Sequence, residues 1–435
     1  MARKMKDSGI EWIGEIPEGW EVVPVRSCFD EVRTKNTDGQ EQNALQFKSG
    51  NIISKANFNA NTDDYVADTI TNYTVVLPDT VMINGLNLNY DFKSLRVALV
   101  KEKGVITSAY LAIFPDRKKI SPQYATYLFK GYETKMAFHN MGAGIRKTLG
   151  YKEFKNQPIL LPSKEEQNKI SAYLDSKCSH IDTMLFRTRS GIEEYKKLKQ
   201  AVITQAVTKG VRGEREMKPT DFTRWSEIPF DWDLKRVKSC VASISSGLSA
   251  VTDDANSEES GKFVLRTSAV SSGFFVPTEV KPVLKSAVNR LICPVEPNTL
   301  IVSRMNTASM VGACAYVASN HPNTFLPDKL WKIKFLPSYH TKYMWYALNS
   351  VPAKSWFSEL ATGASSSMQN ISINDFTSNY LPIPAFSEQK EIANYLDAKC
   401  AEIDGLIAKK EQLVKELESY KKSLIYEVVT GKREV

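Results

Sequence analysis

Between Ser163 and Thr208 a polar, charge-rich run free of proline carries apolar residues at three- and four-residue steps: Ile181, Met184, Leu185, Ile192, Tyr195, Leu198, Val202 and Ala206. This is the spacing of a helix with one packing seam of period near 3.5. The pattern returns between Ala385 and Thr430, at Ile403, Leu406, Leu413, Leu417, Tyr420, Leu424 and Val428. Pro162 and Pro384 stand just before the two runs, Ser163-Lys164-Glu165-Glu166 fits a capping box in the first, and Gly210 and Gly431 lie near the ends. A helix of about 46 residues reaches about 69 Å, longer than a globular domain requires.

The two runs are copies of one another. Glu166-Gln167-x-x-Ile170 answers Glu388-Gln389-x-x-Ile392, and Tyr173-Leu174-Asp175-x-Lys177-Cys178 answers Tyr395-Leu396-Asp397-x-Lys399-Cys400, without a gap from Phe154/Phe376 to Thr208/Thr430. Two near-identical seams in one chain make each helix the nearest partner for the other. The expectation is therefore an antiparallel intramolecular coiled coil, with two unrelated surface helices as the alternative.

The globular parts are duplicated as well. Ile16-Pro17-x-x-Trp20 and Val25-Arg26-Ser27-Cys28 match Ile228-Pro229-x-x-Trp232 and Val237-Lys238-Ser239-Cys240. Within the first part, Tyr73–Leu77, Thr80–Ile83, Arg96–Val100 and Tyr110–Phe114 read as strands, a helix follows from Pro122 to Phe138, and Gly142 to Lys147 reads as a basic loop. In the second, Thr299–Val302 and Leu330–Ile333 echo two of those strands, Thr341–Leu360 reads as one helix, and Gly363–Ser367 as the loop. Trp20 and Trp232, beside proline turns, read as wedges that seat a domain rather than as base-stacking platforms. The fold class is mixed α/β (α+β): a first globular unit over 1–158, a helix over 159–210, a link and second unit over 211–380, and a helix over 381–435. The link from Lys209 to Thr220, with two glycines among charges, is expected to be exposed and pliable.

Composition narrows the class. The 435 residues are 42% hydrophobic, enough for real cores, and carry a net charge of +8. The helical runs contribute little of that charge, so it rests mainly on the globular parts and favours an anionic partner. No apolar run follows the opening residues and none is long enough to span a bilayer, so a soluble, cytoplasmic protein without a signal peptide is expected. The six cysteines include two repeat pairs (Cys28/Cys240, Cys178/Cys400) and no Cys-x-x-Cys, which reads as buried core rather than metal or disulfide. The four histidines are scattered.

No catalytic motif emerges. There is no Gly-x-x-x-x-Gly-Lys-Ser/Thr loop, and no Asn- or Asp-Pro-Pro-Tyr run of an amino-methyltransferase. Pro78-Asp79 followed by Asp91-Phe92-Lys93 has the form of a magnesium-dependent nuclease pattern. It fails an internal test, because the repeat partner of Asp79 is Asn298.

Taken together, Trp12-Ile13-Gly14-x-Ile16-Pro17-x-x-Trp20, Leu161-Pro162-x-x-x-Glu166-Gln167-x-x-Ile170-x-x-Tyr173-Leu174-Asp175 and the second copy from Leu381 to Asp397 resemble the specificity subunits of Type I restriction-modification enzymes, over almost the whole chain. One departure is that Ser163 of the first helix is Ala385 in the second. The resemblance implies a non-catalytic DNA-recognition subunit whose two target recognition domains each read one half of a split, asymmetric DNA sequence, with the paired helices setting the unread gap. It also implies docking to two modification subunits that bind S-adenosylmethionine and methylate adenine. It implies further that restriction and motor subunits using ATP and Mg join later, and that this chain itself would hold no cofactor and no metal. If the seam from Ile181 to about Val207 separates the heads, roughly 26 residues give about 40 Å, or near 12 base pairs between half-site centres. Direct readout calls for Arg, Lys, Asn or Gln at loop tips, which points to Asn87, Asn89, Lys93, Arg96, Arg146 and Lys147 in the first head. In the second it points to Arg304, Asn306, Gln369 and Asn370. Two other readings stay open at this point: a self-sufficient DNA-modifying or restriction enzyme with unrecognised catalytic residues, and a scaffold that binds protein alone.

Overall fold

A computed structural model describes residues 3–55, 70–92, 95–145, 147–249, 259–363 and 369–435. The chain divides into two compact units, Met1–Arg189 with Glu411–Val435, and Ser190–Lys410. Each unit takes part of both long helices, Lys164–Lys209 and Phe386–Val429.

In the first unit an antiparallel sheet runs in the spatial order Phe29–Glu31, Leu111–Pro115, Val81–Ile83, Val97–Leu99. Val81, Ile83 and Val97 reach the same core as Tyr124, Leu128, Phe129 and Tyr132 of the helix Pro122–Thr134. That helix ends before the Phe138 limit read from the sequence, because Met136 turns left-handed (φ 53°) and a short 3-10 turn follows. A separate ladder pairs Glu21–Pro24 with Pro158–Leu161, so the start and end of the globular segment meet where the long helix begins. Ile170, Leu174, Cys178, Ile181 and Leu185 of the first long helix, and Leu424, Val428 and Val429 of the second, complete this core.

The second unit repeats the plan. Its sheet runs Val241–Ser246, Leu330–Phe335, Thr299–Ser303, Cys314–Val317, and its closing ladder pairs Asp233–Arg236 with Tyr380–Ile383. The helix read as continuous from Thr341 to Leu360 is two helices, Thr341–Leu348 and Val351–Leu360. Asn349 and Ser350 break it, and Pro352, which has no N–H to give, sits in the first turn of the second helix, where none is needed. This unit also carries a further four-stranded sheet built from Glu259–Leu265, Val280–Leu284, Pro294–Val295 and His321–Phe325. All six cysteines are free and buried.

The long helices pair antiparallel within each unit. In the first, Lys421 donates to both carboxylate oxygens of Asp182 at 2.6 and 2.7 Å, and Arg189 pairs with Glu418. In the second, Lys199 donates to both oxygens of Asp404 at 2.8 and 2.6 Å, and Gly191 lies against Lys410. The buried seam of the first helix runs Leu174, Cys178, Ile181, Leu185, Thr188, Ile192, Lys199, Ile203, Ala206, a heptad spacing. Met184 and Leu198, read from the sequence as seam residues, face outward. The apolar-only reading passed over Thr188 and Lys199, whose place in the seam depends on the partner helix.

The repeated Glu-Gln pairs tie the helices to the globular parts. Trp20 Nε1 donates to Glu166 Oε2 at 2.9 Å, Arg3 pairs with the same carboxylate, and the Arg3 guanidinium lies 5.6 Å from the Trp20 ring. In the second unit Trp232 Nε1 donates to Glu388 at 3.2 Å and Arg215 stands in for Arg3. Gln167 Nε2 donates to the carbonyls of Pro162 and Lys119, while its Oε1 accepts the Ser121 N–H. Gln389 does the same with Pro384 and His340. Each glutamine thus satisfies backbone groups at the foot of its long helix and the head of the shorter one. The capping box is only half formed: Ser163 Oγ accepts the Glu166 N–H at 3.3 Å, but the Glu166 side chain is taken by Trp20. Ala385, at the same place before the second helix, has no hydroxyl to make that cap.

The link between the repeats is not loose as expected. Arg212 pairs with Glu391, Arg215 with Glu388 and Asp231, and Met217–Pro219 forms a ladder with Glu227–Pro229. The same small ladder opens the first unit, Met5–Asp7 against Glu15–Pro17.

Candidate nucleic-acid interface

Both units bring the loop that leaves one central strand against the loop that precedes the closing ladder. In the first unit, Leu149 N donates to Gly85 O at 2.9 Å, Leu88 N to Lys147 O at 3.1 Å, and Asn89 Nδ2 to Ile145 O at 3.0 Å. The approach is close enough that a Cβ at Gly85 would stand 2.5 Å from Leu149 O. Asn87, exposed and left-handed (φ 52°), forms the outer turn of its loop, a conformation that asparagine tolerates. Exposed Lys147 stands on the other loop.

In the second unit the matching bond is Ile371 N to Arg304 O at 3.0 Å. Here the two loops form a short antiparallel ribbon, Met305–Asn306 against Gln369–Asn370. Arg304 Nε lies 3.5 Å from Asn370 Oδ1, and Asn306 Nδ2 donates to Ser271 Oγ at 2.9 Å. All four candidates of this head, Arg304, Asn306, Gln369 and Asn370, therefore gather in one half-buried ribbon whose polar side chains are partly held by neighbours.

The first head sorts its candidates differently. Asn87, Asn89 and Lys147 come together at the paired loops, with Asn89 bridging between them. Lys93 and Arg146, and the loop 364–368 of the second head, lie outside the described residues. Arg96 is a correction. It is 1% exposed, and its guanidinium donates inward to the carbonyls of Asn84 and Leu86 at 2.8 and 2.9 Å and of Asp91, so it has no free edge for a base. Its backbone N–H goes to Glu133, whose carboxyl is pushed up to about 7 by burial, against the lowering effect of that bond.

Sequence reasoning missed the apolar residues at this tip: Ile145 is 94% exposed, Tyr90 71% and Phe92 57%. The pattern hid Tyr90 and Phe92, since Asn87-Leu88-Asn89-Tyr90-Asp91-Phe92 alternates polar and apolar as a half-buried strand does. Trp20 and Trp232 are fully buried and cannot stack on bases. The nuclease pattern dissolves as well: Asp79 pairs with Arg117 at 2.6 Å, while Asp91 lies beside Arg96. Asp79 and its repeat partner Asn298 are both left-handed turn residues (φ 76° and 54°), a role that Asp and Asn fill equally. Among the described residues no cluster of His, Cys, Asp and Glu suits a metal ion, and no helix is long and apolar enough to cross a membrane.

No family model matches the chain. The type I restriction enzyme MjaX specificity subunit of Methanocaldococcus jannaschii is 24% identical over 437 residues, 97% of this chain and 95% of that protein. The MjaVIII specificity subunit of the same organism is 24% identical over 423 residues, 96% and 93% of the two chains. A chain solved in work on complex assembly and conformational transition of the type I R-M system aligns with a TM-score of 0.69 at 15% identity, covering 96% of this chain and 99% of that one. That likeness establishes the fold. The matched spans, 96–97% of this chain, take in both repeats and both helical runs.

Proposed function

We infer that this chain is the specificity subunit of a Type I restriction-modification system: a DNA-recognition subunit that directs the chemistry of its partners and performs none. The observation that carries this reading is one scaffold built twice, each copy presenting a different pair of loops at the same place. A duplicated scaffold with unlike tips suits a bipartite, asymmetric DNA target.

We assign readout of one half-site to the first head, over 1–158, through Asn87 and Lys147 together with Lys93 and Arg146, with Asn89 as a brace between the loops. The second head, over 211–380, reads the other half through Arg304, Asn306, Gln369 and Asn370. Side chains of these types discriminate bases by about 1–3 kcal/mol for each bidentate pair. The helical runs 159–210 and 381–435 set the unread gap and dock two modification subunits. S-adenosylmethionine, ATP and Mg belong to those modification subunits and to the restriction subunits, and the assembly works in the cytoplasm.

The test is to co-express the chain with its modification subunit and map methylated adenines across a genome. A split motif that changes in one half when residues 21–158 are exchanged for those of a relative supports the reading. Methylation without this chain, or a motif indifferent to the exchange, refutes it and favours the self-sufficient enzyme.

A further inference from the structure

We propose that buried Arg96 is a positioning residue for base recognition, the internal post around which the first head's reading loop is moulded. The proposal rests on the functional reading above and goes beyond it by naming a specificity determinant that never touches DNA.

The loop from Asn84 to Asp91 has little regular structure to hold it. Its own local bonds are an Asn84 side-chain turn to Leu86 N and a turn from Asn87 O to the N–H groups of Tyr90 and Asp91. Its outer side is tied to the neighbouring loop by Gly85, Leu88 and Asn89, and on its inner side three of its carbonyls are gathered by one guanidinium. Arg96 Nη1 donates to Asn84 O and Leu86 O and Nη2 to Asp91 O, which fixes both ends of the loop to one rigid planar fork. The fork is itself fixed. The Arg96 N–H is held by Glu133, Asn84 N donates to Arg96 O at 2.8 Å, and the ring of His139 meets Asp91 O at 3.1 Å. Between these anchored carbonyls lie the outward-facing residues Asn87 and Tyr90, and Asn89, which braces the neighbouring loop. A side chain that must present two hydrogen-bonding atoms to a base edge tolerates displacements well below 1 Å, and a lysine, with one ammonium in place of the fork, cannot hold three carbonyls in one plane.

Among the described residues the second head has no such post. The matching bond there is Ser303 N to Ala313 O, which puts Ala313 at the place of Arg96, and its loop is shaped by the ribbon with Gln369–Asn370. The dependence on Arg96 is thus specific to one half-site.

The experiment uses the full chain with its modification subunit, carrying Arg96→Lys or Arg96→Met, and reads the methylated motif genome-wide alongside the unfolding midpoint. In Arg96→Lys, which keeps the stem and the charge, discrimination at one or more positions of the first half-site should fall on the order of ten-fold, with the second half-site unchanged. Arg96→Met should do the same more strongly if it folds. An Arg96→Lys complex with an unaltered motif overturns the proposal, and so does equal loss at both half-sites, which marks a general effect on stability. Failure of the wild-type chain to direct methylation at a split motif falls on the underlying functional reading instead.

Discussion

Replacing Glu388 by alanine tests whether the repeated Glu-Gln motif is a structural bracket, because its two copies sit in unequal surroundings. The Glu388 side chain is 1% exposed, accepts Trp232 Nε1 at 3.2 Å and holds Arg215 at 2.5 Å. Removing one partner of a buried ion pair costs about 3–5 kcal/mol. Arg215 keeps Asp231 at 2.7 Å, which sets the loss at the low end, about 3 kcal/mol. Glu166 is 25% exposed and its partner Arg3 29%, so water and salt screen that pair and Glu166→Ala should cost only about 1 kcal/mol. With roughly 2–4 °C for each kcal/mol in units of this size, Glu388→Ala should lower the second unit's midpoint by about 6–12 °C. By the same scale Glu166→Ala should lower the first unit's midpoint by about 2–4 °C. Scanning calorimetry gives the midpoints, and hydrogen exchange read by mass spectrometry assigns each to its unit. Equal losses in the two variants, or a Glu388→Ala midpoint within about a degree of wild type, would refute the bracket. Glu388→Gln, which keeps an acceptor for Trp232 but loses the charge, should fall between.

Three further outcomes follow from the same structure. Burial raises the Glu133 carboxyl from 4.5 to about 7, so its contribution is fully present below about pH 4.5 and is lost as pH rises through about 7. Glu133→Gln, which preserves the acceptor for Arg96 N–H, should therefore be more stable than wild type at pH 8 and show a flatter urea-midpoint profile between pH 5 and 8, and an unchanged profile would count against this. Lys199 is a basic residue in the seam: Asp404 is half-exposed, so Asp404→Ala should cost less than the loss of a fully buried partner, about 1–3 kcal/mol, while Lys199→Met should be neutral or stabilising, and the reverse order in denaturant melts would contradict the seam assignment. Lys147→Ala should weaken binding of the assembled complex evenly across sequences and reduce the slope of log K against log salt by about 1, whereas a changed motif at constant slope would make Lys147 a base reader.

Much of the architecture was legible because it is local and duplicated. The 3.5-residue period specified two long helices, the copy of one in the other specified what each pairs with, and within the runs read as strands Val81–Ile83, Val97–Leu99 and Leu111–Pro115 form because their side chains are apolar. The break after Leu348 was less visible, since Pro352 in a helical pattern can begin a helix as readily as interrupt one.

What tertiary structure alone decided is the use made of polar side chains. Glu166, Gln167 and their copies look in sequence like helix-start residues, yet Trp20, Arg3 and Ser121, distant along the chain, turn them into brackets. Arg96 looks like a surface reader at a strand end until the loop Asn84–Asp91 closes its carbonyls around it. Arg304, Asn306, Gln369 and Asn370 are two unconnected polar stretches until Met305–Asn306 pairs with Gln369–Asn370. Hydrophobic periodicity is written in neighbouring residues, so the sequence by itself determined the helices, the strands and their repetition. A hydrogen-bonding group has no preferred partner until folding brings one within reach, so only the folded chain decided which charged and amide groups build the scaffold and which stay at its surface.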